Sequence, residues 1–169
     1  MQTFRIQGGN KLSGDVIPQG AKNEALQIIC ATLLTSEEVV ISNIPDIIDV
    51  NKLINLLSSI GVQIKKISSN KYSFKAEKIN LKSLSSEKFK TDGKSIRGSI
   101  MIVGPLLARF GIASIPRPGG DKIGRRRLDT HFGGLIKLGA QFTYDKESRF
   151  YSVKAKQLVG TYILMEEAS

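Results

Sequence analysis

Apolar and polar positions along this chain follow a pattern that occurs twice. "DVNKLINLLSSIGVQIKKISSNKYSFKA", residues 49 to 76, lines up with "RLDTHFGGLIKLGAQFTYDKESRFYSVKA", residues 127 to 155, with one extra residue in the second copy. In the first copy Val50, Leu53, Ile54, Leu57 and Ile60 recur at helical spacing, and in the second Leu128, Phe132, Leu135 and Leu138 do the same. Each stripe ends at a glycine, Gly61 or Gly139. Glycine has no Cβ to oppose a left-handed residue, so each helix is expected to stop there. Alternating stretches follow, "VQIKKI" with "KYSFKA" and "AQFTYD" with "FYSVKA", and each pair predicts a two-stranded hairpin.

The repeat extends upstream. "GAKNEALQIICATLLTSEEVVIS" parallels "GKSIRGSIMIVGPLLARFGIASI", which brings Leu33-Leu34 level with Leu106-Leu107. Each complete unit therefore reads helix, strand, helix, strand, strand, an α/β (α+β) arrangement whose helices need one another's apolar faces to make a core. Two units are present. Before them, "FRIQ" and "KLSGDVIP" read as two further strands, and after them "LVGTYILMEEAS" reads as the start of a third unit. The expected organisation is a strand segment over 1–21 followed by an incomplete lobe over 22–169.

Composition narrows the class. With 169 residues, 41% of them hydrophobic, the chain is long enough to bury a single core. Neither a run of about 20 apolar residues nor the apolar centre of a signal peptide occurs in it, so a cytoplasmic protein without a membrane partner is expected. Cys30, the one cysteine, lies inside the apolar stretch "ALQIICATLL" and is expected to be a core thiol. The formal charge of +10, from 25 Lys and Arg against 15 Asp and Glu, points to an anionic partner. Nucleic acid, an acidic membrane surface and a phosphorylated metabolite all fit that charge. Most lysines are scattered through polar stretches such as "SSNKYSFKAEKINLKSLSSEKFK", read as solvated loops and faces; the dense cluster is Arg125-Arg126-Arg127.

That cluster belongs to "RPGGDKIGRRRLDTH", residues 117 to 131, which also holds three glycines and the single histidine. The glycines and proline predict a surface loop able to close over a ligand. Its arginines precede the helix of the second copy, where guanidinium forks and unpaired backbone N–H groups together suit phosphate oxygens. Asp121 at the loop's crown reads either as a salt-bridge partner of Lys122 or Arg125 or as a proton donor held protonated by burial and by an anionic substrate. "QGAKNEAL" sets Lys22 and Asn23 at the mouth of the first helix, and "KSIRGSI" sets Arg97 at the equivalent place in the second unit. Basic residues at equivalent helix starts suggest one shared anionic site.

These motifs resemble those of the enolpyruvyl transferase family, in the branch that acts on UDP-N-acetylglucosamine. "FRIQGGNKLSGDV", "GAKNEAL", "IRGSIMIVGPLLARFG", "RPGGDKIGRRRLDTHFGGLIKLGA" and "GTYILMEEAS" fall in family order from Met1 to Ser169. The resemblance implies an inside-out α/β barrel of repeated units, two lobes of three units each, of which this chain covers part of the first. It implies transfer of the enolpyruvyl group from phosphoenolpyruvate to the sugar 3-hydroxyl with release of phosphate, a step of peptidoglycan precursor synthesis. By that resemblance Lys22, Asn23 and Arg126 bind phosphoenolpyruvate. Asn23, Arg97, Arg126, Arg127, Leu128, Asp129, Thr130, Glu167, Ala168 and Ser169 bind the nucleotide sugar.

Arg127 stands where the family usually has proline. Asp121 stands where most members have a cysteine that acts as general acid and is alkylated by fosfomycin, so a catalytic Asp121 and resistance to that drug are implied. No cofactor or metal is implied, and the second lobe is expected to supply an aspartate base and another arginine. Two other readings stay open: a UDP-sugar-binding remnant without catalysis, and a basic nucleic-acid-binding module. The seven Phe and four Tyr show no stacking pattern with the basic residues, which argues against the module.

Overall fold

The structure, a computed structural model, describes residues 3–119 and 127–164. Its first unit runs α1 (Lys22–Ala31), β1 (Glu38–Ile41), α2 (Ile48–Ser59), β2 (Gln63–Ser68) and β3 (Lys71–Lys75). After α3 (Glu87–Lys94), the second unit runs α4 (Val103–Phe110), β4 (Ile112–Pro116), α5 (Asp129–Lys137), β5 (Gln141–Asp145) and β6 (Phe150–Lys154). Helix, strand, helix, strand, strand thus occurs twice, as the repeated pattern predicts.

Each unit ends in a three-stranded antiparallel sheet, in the orders β1-β3-β2 and β4-β6-β5. The central strand places Phe74 opposite both Val39 and Ile64, and Val153 opposite both Ala113 and Phe142. Phe74 and Val153 point from these central strands into the core, where both are buried.

The helix stops also match. Val62 N–H donates to Leu57 and Gly61 N–H to Ser58, while Ala140 donates to Leu135 and Gly139 to Ile136. These are the paired bonds of a left-handed helix end, and Gly61 and Gly139 have φ of +102° and +101°.

The units interlock through their helices. α2 buries Val50, Leu53, Leu56 and Leu57, whereas α5 buries Phe132 alone. Cys30 is buried in that core, as its apolar setting predicts. Leu33 matches Leu106 in being fully buried, but Leu34 stays exposed while Leu107 is buried. The cause is local: α1 tightens into a 3-10 turn at Thr32–Leu34, which swings Leu34 outward. At this same turn, Arg109 Nη1 donates toward the carbonyls of Leu33 and Thr35, and toward that of Ala76, at 3.0, 2.9 and 2.7 Å, stitching α4 to the first unit.

Several elements differ from the sequence expectation. α3 occupies part of a stretch read as solvated loop; the Ser86 hydroxyl caps it by accepting from Phe89 N–H, and Phe89 is fully buried. One aromatic residue per helix leaves no periodicity to detect. The second unit's first helix opens as a 3-10 turn over Arg97–Ile102 before becoming α4. Its Gly98 lies under Leu26, where a Cβ would come within 3.0 Å of Leu26 Cδ1.

Residues 3–21 form no strand, and Phe4, Ile6, Leu12, Val16 and Ile17 are about nine-tenths exposed. Alternation predicts strands there, but a strand needs a neighbour for its N–H and C=O groups, and none of the described strands lies beside this segment. Residues 158–164 likewise form no strand. No described helix is long and apolar enough to cross a membrane.

Candidate functional site

Lys22 opens α1, and no side chain caps that helix start. Arg97 opens the equivalent 3-10 turn of the second unit, again uncapped by a side chain. Because the two units pack by the faces of these helices, both starts come to one open cavity of about 620 Å³. Lys22, Asn23, Arg97 and Leu128 line it together, so four residues singled out from the sequence converge. Arg127, Asp129 and Thr130 line an adjoining cavity of about 210 Å³ with Lys137, Ile163 and Leu164. Asp121, Arg126, Glu167, Ala168 and Ser169 lie outside the described residues.

Charge in the larger cavity is mainly positive. Lys22 Nζ stands 3.2 Å from Asp49 Oδ2, an ion pair between α1 and the first turn of α2. Lys52, one turn farther along α2, donates from Nζ to the Ser95 carbonyl at 3.3 Å. Gln27, Asp49, Lys52, Ser95 and His131 complete the polar wall, and sequence reasoning assigned none of them a role, although His131 closes the arginine-rich segment. A charged residue on an amphipathic helix reads equally well as solvated surface. The one available signal was that Asp49 and Lys52 lie within the repeated segment, a turn apart.

The described residues on either side of 120–126 are each held by specific contacts. Arg117 N–H donates to the Arg149 carbonyl at 2.9 Å. Gly119 packs so closely on Lys94 that a Cβ would sit 2.0 Å from its carbonyl oxygen. At the other end, Arg97 Nη2 donates to the Arg127 carbonyl at 3.1 Å. Arg127 itself forks onto the Asp129 carboxylate through Nε and Nη2, with both Nε contacts at 2.9 Å. Thr130, whose residue lines the smaller cavity, has its Oγ1 buried and without a hydrogen-bond partner among the described residues.

Such an arrangement can hold an elongated polyanion. Cations and uncapped helix starts supply donors from two units, and an asparagine beside them can orient a hydroxyl.

The family model for EPSP synthase (3-phosphoshikimate 1-carboxyvinyltransferase) matches residues 6–169. The chain is 57% identical over all 169 residues to a protein of Bacteroides thetaiotaomicron named UDP-N-acetylglucosamine 1-carboxyvinyltransferase, and covers 39% of it. A protein of the same name from Porphyromonas gingivalis is 53% identical, again with 39% covered, and one from Borreliella burgdorferi is 41% identical with 38% covered. The chain thus spans about 39% of the length of the relatives it most resembles among these.

Among solved structures, the enolpyruvyl transferase NikO from Streptomyces tendae superposes with a TM-score of 0.70 at 21% identity, over 90% of this chain and 32% of that one. EPSP synthase from Acinetobacter baumannii superposes with a TM-score of 0.65 at 17% identity, over 92% and 35%. The doubled helix-strand-helix-strand-strand unit is therefore the enolpyruvyl transferase fold, and the chain belongs to the EPSP synthase family.

Proposed function

We propose that the protein carrying this chain is a cytoplasmic enzyme that transfers the enolpyruvyl group of phosphoenolpyruvate to the 3-hydroxyl of UDP-N-acetylglucosamine, releasing phosphate for peptidoglycan precursor synthesis. The observation that carries the proposal is the convergence of Lys22, Asn23, Arg97 and Leu128, from two repeated units, on one cavity with surplus positive charge. Identity of 57% across the whole chain to a protein named for this activity supports the substrate choice.

In this reading Lys22, Asn23 and Arg126 hold phosphoenolpyruvate. The nucleotide sugar lies against Asn23, Arg97 and the run Arg126, Arg127, Leu128, Asp129 and Thr130, with Glu167, Ala168 and Ser169 at its far side. The sugar 3-hydroxyl gives its proton to the aspartate base of the second lobe as its oxygen adds to C2 of the enol, while Asp121 delivers a proton to C3. Loss of a C3 proton and of phosphate then leaves the enolpyruvyl ether. Fixed cations favour both steps because charge develops on groups they already face.

Residues 22–169 form two units and the beginning of a third in one lobe, and residues 1–21 pack against another lobe. The exposed Phe4, Ile6, Leu12, Val16 and Ile17, and the thinner burial of α5 relative to α2, support that division. Because the chain spans only 39% of its relatives, the isolated 169 residues are expected to bind UDP-sugar without turnover.

Phosphate release by the intact protein from its source cells tests the assignment. Release requiring both substrates, lowered about a hundredfold in kcat/KM by Lys22→Ala and insensitive to fosfomycin, is the expected result. Release without the nucleotide sugar, or mass-spectrometric labelling of Asp121 by fosfomycin, would contradict it.

A further inference from the structure

The cavity wall holds a lysine that none of the assigned roles uses. Lys52 is half-buried on α2, lines the same cavity as Lys22 and Arg97, and has Nζ directed to the Ser95 carbonyl at 3.3 Å. A carbonyl is neutral, so this contact satisfies one of the three ammonium donors, and no salt bridge among the described residues includes Lys52. The carboxylate nearest in sequence, Asp49, is three residues away on the same helix, but it pairs with Lys22 at 3.2 Å. Asp46, the next, accepts from Asn51 Nδ2 at 2.8 Å. A partly desolvated ammonium beside a cavity is costly unless an anion shares the space.

We propose that Lys52 is a further substrate-binding residue of this site, donating to anionic oxygens of a phosphorylated substrate. Its anchor explains how it is aimed. Ser95 lies two residues before Arg97, so the bond from Lys52 fixes the ammonium relative to the backbone that presents that arginine. Lys52 comes from the first unit and Arg97 from the second, and an anion between them closes the cavity wall across the unit boundary. The chemistry shared by both candidate ligands is a phosphate-type oxygen, from the diphosphate of the nucleotide sugar or from phosphoenolpyruvate.

This inference rests on the proposed transferase reading, and the intact protein's unmodified activity tests that reading separately. In the active protein, Lys52→Gln, which keeps a donor but loses the charge, is expected to raise KM about tenfold for one of the two substrates, with kcat within about twofold. The substrate whose KM moves identifies the anion. Lys52→Arg, which restores charge, is expected to return KM to within about threefold of the original. Unchanged KM for both substrates in Lys52→Gln, or an arginine variant as impaired as the glutamine one, would overturn the role. Should the glutamine variant fail to fold, acylation of lysines in the unaltered protein decides: saturating substrate protects Lys52 from the reagent if the proposal holds and leaves its labelling unchanged if it does not.

Discussion

Cys30 is 1% exposed, and burial pushes its thiol far above the ordinary range because no neighbouring cation compensates a buried thiolate. The unfolded chain ionises this thiol from about pH 8.5, whereas the folded protein holds it neutral. Its contribution to stability is therefore fully present below that pH and is lost as pH rises, by up to about 1.4 kcal/mol per unit. Urea unfolding between pH 8 and 10 should show this slope in the protein and lose it in Cys30→Ala. Identical slopes would refute the linkage. Cys30 was legible in the sequence because its neighbours are apolar on both sides. Asp49, Lys52 and His131 were not, because what makes each part of the site is a second element brought alongside by folding, and a helix surface carries no mark of that.

The two glycine helix ends separate backbone conformation from contact. Gly61 and Gly139 share the same left-handed φ, yet a Cβ at Gly61 would stand 2.6 Å from the Lys78 carbonyl oxygen, and one at Gly139 would meet Gln157 at an ordinary 3.5 Å. Gly139→Ala should cost about 1 kcal/mol, the conformational penalty alone, and Gly61→Ala at least about twice that, since backbone must also shift. Equal losses in denaturant midpoint would show that the Lys78 carbonyl yields freely. These elements were readable because periodicity, stop residue and hairpin alternation all agree over thirty residues. The connection between units was not: α3 shows one buried aromatic, and the 3-10 opening at Arg97 depends on Gly98 fitting beneath Leu26, a contact spanning the two units. Residues 3–21 form no strand by themselves, since alternation describes a face and says nothing of the neighbour a strand requires.

At the scale of the molecule, the two units are joined by an apolar core and by the Arg109 stitch. Three carbonyls from the first unit, two of them at the end of the α1 segment and one after β3, converge on a single guanidinium nitrogen. Arg109→Met should destabilise the protein by about 2 to 3 kcal/mol, with the m-value unchanged, because it strands partly buried acceptors while keeping the side-chain volume. A loss below about 0.5 kcal/mol would mean that water replaces the guanidinium. The shared cavity depends on the same association, since Lys22 and Arg97 belong to different units and meet only when those units are packed.

The strand order β1-β3-β2, repeated as β4-β6-β5, sets how such a protein comes into being on the ribosome. In each unit the middle strand is the last to be synthesised. When β1 and β2 have emerged, they are two margins with an empty lane between them, and no ladder can start. Ile41 waits for Tyr72, and Pro116 for Phe150, before either sheet can begin. Translation therefore cannot begin either sheet from its margins: a stop codon before Lys71 or Phe150 does not trim a sheet but removes the lane that both margins share.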